Sequence, residues 1–344
     1  MLNLVVATLS LDPSSTHKSF DPSNMHKDHD FPAFVDFVTK HRGGTPYRDE
    51  METLGRFVAF KKNLELIKER NAKGGAKHGV TKWADLTRDE FRRMHTGLQP
   101  ADAKLKKKLE VRDHHAPANL TAASIDWQAK GALTPIKDQG QCGSCWAFSA
   151  SEQLESDYFI QYGTLKTVSP QQLTSCTTAC LGCNGGNPIP AWQYVAAYGG
   201  QDSKASYPYT SGVTQQTGAC AATKAGVVED VASSVGYLIS DKPSMESNML
   251  AQMALSPMSV VVDAELWQTY ESGVITAADG CGTTPDHAVQ ATGYNAEGNY
   301  WIVRNSWGTS WGNGGFVYVE YGANVCGITT QAAVASPATV AALR

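Results

Sequence analysis

The first 141 residues contain no cysteine, and beyond His115 the chain has a single histidine, His287. Basic residues are scarce in the same later part: residues 1–118 carry a net charge of +5 and the remainder −9, which together give −4. No run of about 18 apolar residues is present, so no transmembrane helix is predicted. A basic, histidine-rich leader therefore precedes an acidic, cysteine-rich body, and opposite charges favour docking of the two. Two unrelated regions whose charges differ by chance are the alternative.

The N-terminal 30 residues have few features of a folded segment. Residues 2–11 are apolar but short, with no preceding Lys or Arg. A signal-peptide remnant and a frayed terminus are both open interpretations. Residues 12–30 are rich in Ser, Pro, Asp and His, and we expect them to be disordered. Residues 1–30 are thus assigned to a disordered leader or signal remnant.

The rest of the leader has helical periodicity. Apolar residues at helical spacing predict a first helix that begins near Phe31 and a longer helix from about Asp49 to Asn71. Residues 79–85 have the pattern of a short extended segment. Thr87 is an N-cap candidate for a short helix that ends near His95.

Residues 104–115 include three consecutive lysines and form a charged linker. A solvated hinge is favoured over a nucleic-acid contact, because no aromatic residues interleave the lysines and the body is acidic. In the body, the half after Cys145 is predicted to be helical. The second half is predicted to contain four strands: Ser259–Asp263, Ala288–Tyr294, Tyr300–Arg304 and Phe316–Glu320. These patterns predict an α+β fold of two lobes, with a cleft between them that is a common place for an active site.

Residues 139–149 pack two cysteines and two glycines into a turn before a predicted helix. A cysteine in the first turn of a helix lies at the positive end of the helix dipole, which favours the nucleophilic thiolate. His287 is the one imidazole in the body that could act as its base, and Asn305 is a candidate to orient that base. A lone histidine is more often structural, and Trp307 could either shield the His–Asn hydrogen bond or simply pack in the core. Zinc binding by the two Cys-x-x-Cys pairs is a further alternative, but it leaves Gln139, His287 and Asn305 unexplained.

These residues stand in the papain/cathepsin pattern: Cys-Gly-Ser-Cys-Trp, with His287 142 residues and Asn305 160 residues after Cys145. From about residue 31 to 335 the chain resembles a papain-like cysteine peptidase of the cathepsin L type, with its inhibitory propeptide. The resemblance implies a papain-like two-lobed fold, a helical lobe plus an antiparallel barrel-like lobe, behind a small helical propeptide domain. It implies a propeptide over residues 31–118 and a peptidase domain over 119–344. Maturation is expected near residues 116–124, beside the glycosylation acceptor Asn119.

The resemblance also implies roles in catalysis. Cys145 is the implied nucleophile, His287 the general acid/base and Asn305 its orienter. Gln139 is the implied oxyanion-hole donor, although a buried structural glutamine is an alternative. The implied substrate-binding residues are mostly apolar or small, which suits Leu, Val or Phe as the second residue before the scissile bond. They are Gly143, Gly185, Gly186, Asn187, Pro188, Val261, Pro285, Ala288, Trp307 and Gln331. No metal and no cofactor are implied.

By the same resemblance three disulfides are expected: Cys142–Cys183, Cys176–Cys220 and Cys281–Cys326. Cys180 is left over, either as a free thiol or as a competitor of Cys176 or Cys183. The bridges imply an oxidising setting, a lysosome-like acidic compartment or secretion. The leader matches the propeptide helix motif at Glu52, Arg56, Phe60, Asn63, Ile67 and Asn71, and a following motif at Gly79, Trp83 and Asp85. Thr81 and Trp83 depart from that second motif. The implied leader caps the cleft, with its tail running backwards through it.

No occluding loop is evident, so internal cleavage of peptides and proteins is expected from a monomer that engages neither nucleic acid nor membrane. We expect acid to release the leader by protonating body carboxylates and breaking leader ion pairs of Glu52 and Asp85. Protonation of the leader histidines is expected to act the other way and tighten docking. A non-enzymatic binding or storage protein on the same scaffold is the rival interpretation. A leader that inhibits related peptidases in trans is compatible with either.

Overall fold

The computed structural model describes residues 22–101, 105, 109–112, 124–224, 227–228, 237–239 and 245–335. The predicted signal remnant, the lysine run at 106–108, the predicted maturation region up to residue 123 and Asn119 lie outside the described residues. Among the helices that are described, none is long and apolar enough to span a membrane.

Within the described ranges, three helices with defined bounds belong to the leader and five to the body. They are α1 (Phe31–Arg42), α2 (Glu50–Ala72), α3 (Arg88–His95), α4 (Cys145–Tyr162), α5 (Pro170–Cys176), α6 (Pro188–Tyr198), α7 (Ser211–Thr214) and α8 (Met245–Met253). Short 3-10 helices cover Pro22–Lys27, Gly182–Asn184, Glu265–Thr269, Ala277–Asp279 and Val325–Gly327.

The predicted leader helices are confirmed. They could be predicted because local capping signals define their ends. The Asp49 carboxylate accepts the Glu52 N–H at the start of α2. Thr87 and Glu90 form a capping box at the start of α3. Helices α1 and α2 then pack through an aromatic cluster built around Phe34, Phe37, Phe57 and Phe60.

Two local predictions for the leader are wrong in part. Residues 22–30 are ordered, because Met25 packs against the aromatic cluster and the Asp28 carboxylate pairs with Lys61 of α2 at 2.5 Å. The expected extended segment over residues 79–85 is instead irregular and then a turn at residues 82–85, and the two-residue strand Lys77–His78 lies just before it. The turns form because the Asn63 side-chain amide donates to the carbonyl oxygens of Ala84 and Leu86. Long-range contacts of this kind leave no mark on local periodicity.

The strands are β1 (Lys77–His78), β2 (Glu110–Arg112), β3 (Ile125–Asp126), β4 (Gln201–Asp202), β5 (Val227–Val228), β6 (Tyr237–Ile239), β7 (Met258–Val262), β8 (Tyr270–Ser272), β9 (Val274–Ile275), β10 (His287–Asn295), β11 (Tyr300–Arg304), β12 (Phe316–Glu320) and β13 (Ala332–Val334). The main sheet has the order β2-β6-β13-β7-β10-β11-β12-β9, with β3 also on β10. Its pairs are antiparallel except β2–β6 and β9–β12. The four predicted strands and the α+β class are confirmed.

Helix α4 packs across β10, and this contact joins the helical and strand-rich halves of the body. Ser149 Oγ donates to the Val289 carbonyl oxygen at 2.8 Å, and Gln290 Nε2 donates to the Glu152 carbonyl oxygen at 3.1 Å. Both partners run away from a common end, since Cys145 begins α4 and His287 begins β10. The fold therefore brings the two predicted catalytic residues to the same place.

The leader docks on the body by backbone pairing and by charge. Strand β1 pairs with β8 in an antiparallel arrangement. Four leader–body ion pairs occur among the described residues, and each has its cation on the leader and its carboxylate on the body. They are Lys77–Glu271 at 2.9 Å, Lys82–Asp138 at 3.0 Å, Arg88–Glu265, and Arg92–Asp286 at 3.8 Å. The opposite net charges of the two regions thus meet at their interface.

Candidate active site

Cys145, His287 and Asn305 lie together, each fully buried. The Ala288 N–H donates to Cys145 Sγ at 3.4 Å, so the sulfur lies against the backbone next to the histidine. His287 Nε2 donates to Asn305 Oδ1 at 2.8 Å, while Nδ1 has no hydrogen-bond partner among the described residues. One ring nitrogen is therefore engaged by the amide, and the other remains available to exchange a proton.

Burial holds the thiol and the imidazole neutral while the leader is docked. Desolvation raises the pKa of the Cys145 thiol to about 12, although backbone N–H groups at the start of α4 act in the other direction. Desolvation also lowers the pKa of His287 to about 4, against the effect of the Asn305 hydrogen bond. The sequence predicts that the start of the helix lowers the pKa of the thiol. This effect is present, but desolvation of the thiol outweighs it.

Gln139 lies beside the nucleophile, with its side chain held at both ends. Its Nε2 donates to the carbonyl oxygens of Cys142 at 3.0 Å and of His95 at 3.2 Å. Its Oε1 accepts from Ser306 Oγ at 2.7 Å. The amide that the resemblance assigns to the oxyanion hole is thus occupied by a carbonyl oxygen of the leader.

Trp307 covers His287. The two rings are stacked, with centroids 4.6 Å apart, and Trp307 is fully buried. The indole Nε1 donates to the same His95 carbonyl oxygen at 3.0 Å. Trp307 belongs to the large apolar cluster of the sheet as well, so the shielding and packing roles coexist.

After α3 the leader runs through the cleft as an extended segment. The N–H groups of Gly97 and Leu98 both donate to the Asp286 carbonyl oxygen, at 3.0 and 2.9 Å. The Gly186 N–H donates to the Gly97 carbonyl oxygen at 2.9 Å, and the Gln99 N–H donates to the Gly186 carbonyl oxygen at 2.7 Å. This is a parallel bridge between Leu98 and Gly186.

Glycines permit the closest approach of the leader to the nucleophile turn. Gly97 has a φ of +137°, and a Cβ at this position would collide with the Gly143 carbonyl oxygen. A Cβ at Gly143 would collide with the carbonyl oxygens of Cys183 and Thr96. Both positions require glycine because two backbones meet without room for a side chain.

The predicted substrate pocket combines an apolar wall with a polar pair. Leader residue Leu98 belongs to the apolar cluster that contains Val261 and Ala288. Asn187 Nδ2 donates to Gln331 Oε1 at 3.2 Å, and Gln331 Nε2 donates to Asn187 Oδ1 at 3.3 Å. Pro188 follows as the first residue of α6, and Pro285 precedes Asp286 with partial exposure. Gly185, with a φ of +116°, turns the chain into this segment.

The structure contains the disulfides Cys142–Cys183, Cys176–Cys220 and Cys281–Cys326, the same pairs that the resemblance implies. Cys180 is a free thiol, so it competes for neither partner. Its Sγ donates to the Asn187 carbonyl oxygen at 3.8 Å, and burial raises its thiol pKa to about 11. Cys180 therefore lies, in its unreactive form, behind the backbone that pairs with Leu98.

Two expectations about the leader's titratable groups are wrong. Among the described residues the Asp85 carboxylate makes no ion pair; it accepts from the Tyr47 hydroxyl at 2.7 Å, while Arg56 donates to the Asp85 carbonyl oxygen. His78 and His95 are buried, which lowers their pKa to about 4 and about 3. Protonating these two histidines in the docked leader is therefore unfavourable, so acid loosens docking at both.

Three residues of the site were not identified from the sequence. Ser306 bonds Gln139 Oε1, and its N–H donates to Asn305 Oδ1 at 2.8 Å, so it orients both amides. Its place between Asn305 and Trp307 is the one signal that could have identified it. Tyr209 donates to the Gln139 carbonyl oxygen at 2.9 Å, and His95 supplies the carbonyl that fills the site. No local pattern marks either.

Comparison with known proteins agrees with this geometry. The family model described as papain family cysteine protease matches residues 121–336, and the cathepsin propeptide inhibitor domain (I29) matches residues 34–91. Thiol protease aleurain of Arabidopsis thaliana is 38% identical over 302 residues, covering 85% of this chain and 81% of its own. Pro-cathepsin H of Medicago truncatula is 38% identical over 307 residues, covering 87% and 84%.

Among solved structures, the digestive procathepsin L2 proteinase of Tenebrio molitor larval midgut superposes with a TM-score of 0.75. It is 33% identical, and the match covers 89% of this chain and 99% of that one. The α+β architecture is therefore the papain-like fold, and the leader is an inhibitory propeptide. The chain belongs to the papain family of cysteine proteases and is the precursor form, a zymogen.

Proposed function

We propose that this protein is a cysteine endopeptidase in which Cys145 attacks the peptide carbonyl, His287 transfers the protons and Asn305 orients the imidazole. The observation that carries the proposal is that the two ring nitrogens of His287 have different environments. Its Nε2 is engaged by Asn305 Oδ1, whereas Nδ1 has no partner in the part of the chain that the structure describes, and the thiol lies against the adjoining Ala288 N–H. This arrangement of nucleophile, base and orienter is what thiol-based acyl transfer requires.

The reaction starts once the leader leaves and water enters the cleft. The burial that keeps the thiol and imidazole neutral is then relieved, and the dipole and N–H groups of α4 favour the thiolate. Attack on the carbonyl places negative charge on its oxygen. Gln139 Nε2 and the Cys145 N–H stabilise that charge. His287 then protonates the leaving amine, and water hydrolyses the acyl-enzyme.

The substrate binds as an added strand along Gly185 and Gly186, as Leu98 of the leader does. Its second side chain before the scissile bond enters the pocket of Val261 and Ala288, and a hydrophobic residue is preferred there. The presence of Leu98 in the same apolar cluster supports this preference. The reciprocal Asn187–Gln331 pair leaves the pocket tolerant of polar groups.

Acid activates the precursor, which matures as a monomer in a lysosome-like acidic compartment or after secretion. Protonation neutralises the body carboxylates of the leader–body ion pairs, which removes their attraction to the leader's cations. Protonation of His78 and His95 acts in the same direction. Cleavage then separates a propeptide over residues 31–118 from the peptidase domain.

The test is to acidify the full chain, sequence the new N-terminus and assay a leucine-containing peptide. The wild type should release its leader near pH 4.5 in preference to pH 7 and then cleave the peptide. Cys145→Ala should abolish cleavage, and Cys180→Ser, which removes the other free thiol, should retain it. Undiminished hydrolysis by Cys145→Ala would refute the assignment. A wild-type protein that binds the peptide without cleaving it would indicate the rival binding protein.

A further inference from the structure

A second pocket adjoins the catalytic histidine where α3 of the leader meets the body. It has a volume of about 240 Å³. Carboxylates dominate its body side, and two guanidinium groups face them from the leader. The lining residues are Asp263, Glu265, Thr284 and Asp286 from the body, and Arg88, Phe91 and Arg92 from the leader.

The leader's arginines show what this pocket accepts. Arg88 pairs with Glu265, and Arg92 Nε lies 3.8 Å from Asp286 Oδ2. Among the described residues that line the pocket, the body contributes no basic side chain. Removing the leader therefore leaves three carboxylates without the cations that face them in the precursor.

The body's own backbone holds the two aspartates of the pocket in place. The Ala264 N–H donates to Asp286 Oδ1 at 2.9 Å. Asp263 accepts from the N–H groups of Glu265 at 3.2 Å and of Thr284 at 3.3 Å. None of these bonds involves the leader, so Asp263 and Asp286 are already held in position when the leader is absent.

The position of the pocket indicates which side of the scissile bond it faces. The leader passes from α3, through the His95 carbonyl at Gln139, to the strand that pairs with Gly186. The Gly186 side takes the acyl part of the substrate in the proposed function, so α3 covers the opposite side. Asp286 directly precedes His287, which delivers the proton to the leaving amine. The pocket therefore faces the residues that follow the scissile bond.

Resting on the proposed function, we infer that the Asp263–Glu265–Asp286 pocket selects substrates with an arginine or lysine shortly after the scissile bond. The same surface has two occupants in turn: Arg88 and Arg92 in the precursor, and a basic substrate side chain in the mature enzyme. Opposite charges at a partly open site raise both encounter rate and affinity, and a preference of about five- to tenfold is the scale expected for one such pair.

The experiment uses the acid-matured full chain and internally quenched peptides that share a leucine-containing acyl side. They carry Arg, Ala or Glu at the first or second position after the scissile bond. At about pH 6.5, kcat/KM should follow Arg > Ala > Glu, with an Arg/Ala ratio of about five to ten that falls at high salt. Glu265→Gln, and separately Asp263→Asn, should bring the ratio towards one. Glu271→Gln removes a body carboxylate that pairs with leader Lys77 outside the pocket, and it should keep the wild-type ratio.

An Arg/Ala ratio of kcat/KM equal to one in the wild type would overturn the inference. An unchanged ratio in both Glu265→Gln and Asp263→Asn would overturn it as well. A coumarin amide with the same acyl side separates this outcome from failure of the proposed function, because it has no residue after the scissile bond. Wild-type hydrolysis of the coumarin amide with no Arg preference refutes the pocket alone. No hydrolysis of either substrate refutes the peptidase assignment.

Discussion

Replacing His95 by asparagine should remove much of the pH dependence of leader docking. His95 is 4% exposed, packs against Trp83 and Phe91, and donates from Nδ1 to the Gly140 carbonyl oxygen at 3.1 Å. Desolvation is the main cause of its low pKa, with Lys82 acting in the same direction and Asp138 against it. Asparagine can keep the donated hydrogen bond but cannot accept a proton.

The magnitude follows from the two pKa values. A free histidine has a pKa of about 6.5, and docked His95 has one of about 3. Between these values the released leader binds more protons than the docked leader, so docking is strongest above about pH 6.5 and weakens as the pH falls towards 3. From pH 7 to pH 4.5 the loss is about 2.5 kcal/mol, or roughly 70-fold in the docking equilibrium.

The measurement is urea-induced release of the leader from the full-length Cys145→Ala chain, which cannot process itself. Tryptophan fluorescence reports release, because Trp83 of the leader lies against Trp307 of the body with ring centroids 4.9 Å apart. The free energy of release is determined at pH 7 and at pH 4.5 for the parent and for His95→Asn. The parent should lose about 2.5 kcal/mol more than the variant over this interval.

Comparing the change with pH, rather than one absolute value, cancels any packing energy that His95→Asn costs at both pH values. His29→Asn is the matched control, since the His29 side chain is 88% exposed and its ion-pair partners belong to the leader. It should behave as the parent. Equal losses in the parent and in His95→Asn would show that His95 titrates alike in both states, and the burial reasoning would fail.

Three further predictions concern the body. Gln139→Ala should lower kcat of the mature enzyme by about 10²–10³ with little change in KM, because the lost donor acts on the transition state; an unchanged kcat would make Gln139 merely structural. Gln331→Leu should raise the preference for Leu over Gln at the second residue before the scissile bond by about tenfold, since it removes the amide that pairs with Asn187; a peptide panel that shows no change would contradict this. In the Cys145→Ala precursor, Cys180 should react with a thiol reagent far more slowly than in the urea-unfolded chain, because burial protects it and raises its pKa; equal rates would show that it is exposed.

Local sequence patterns predict much of this molecule and fail at identifiable places. The apolar spacing and caps of α2 and α3 predict their ends within a few residues, since those signals act between near neighbours. The spacing of Cys145, His287 and Asn305 identifies the catalytic candidates because each residue type has a chemical role. The turns at residues 82–85 depend on Asn63 from a distant helix, and sequence periodicity carries no record of such a contact.

Local sequence patterns also fail to predict whether protonation of the leader's histidines strengthens or weakens docking. Composition marks the leader as histidine-rich, and a solvated histidine would gain charge in acid and bind an acidic body more tightly. The structure buries His78 against Thr269 and His95 against Gly140, and burial reverses the sign. Only the tertiary contact decides whether a histidine strengthens or weakens docking as the pH falls.

The polarity of the leader explains how it can fill the cleft as a substrate would and still block it. A substrate in the proposed mode pairs with Gly186 first and presents its next carbonyl to Gln139. The leader meets these groups in the opposite order: the His95 carbonyl oxygen binds Gln139, and Leu98, three residues later, pairs with Gly186 in parallel. Each end of this segment is held through the leader's own backbone atoms, by the Gln139 side chain at His95 and by the Gly186 backbone around Leu98. Gly97 leaves no side chain at the crossing with Gly143. The acyl and leaving-group sides are therefore exchanged, so the hydrogen bonds that would align a substrate instead hold the leader in the wrong direction for attack.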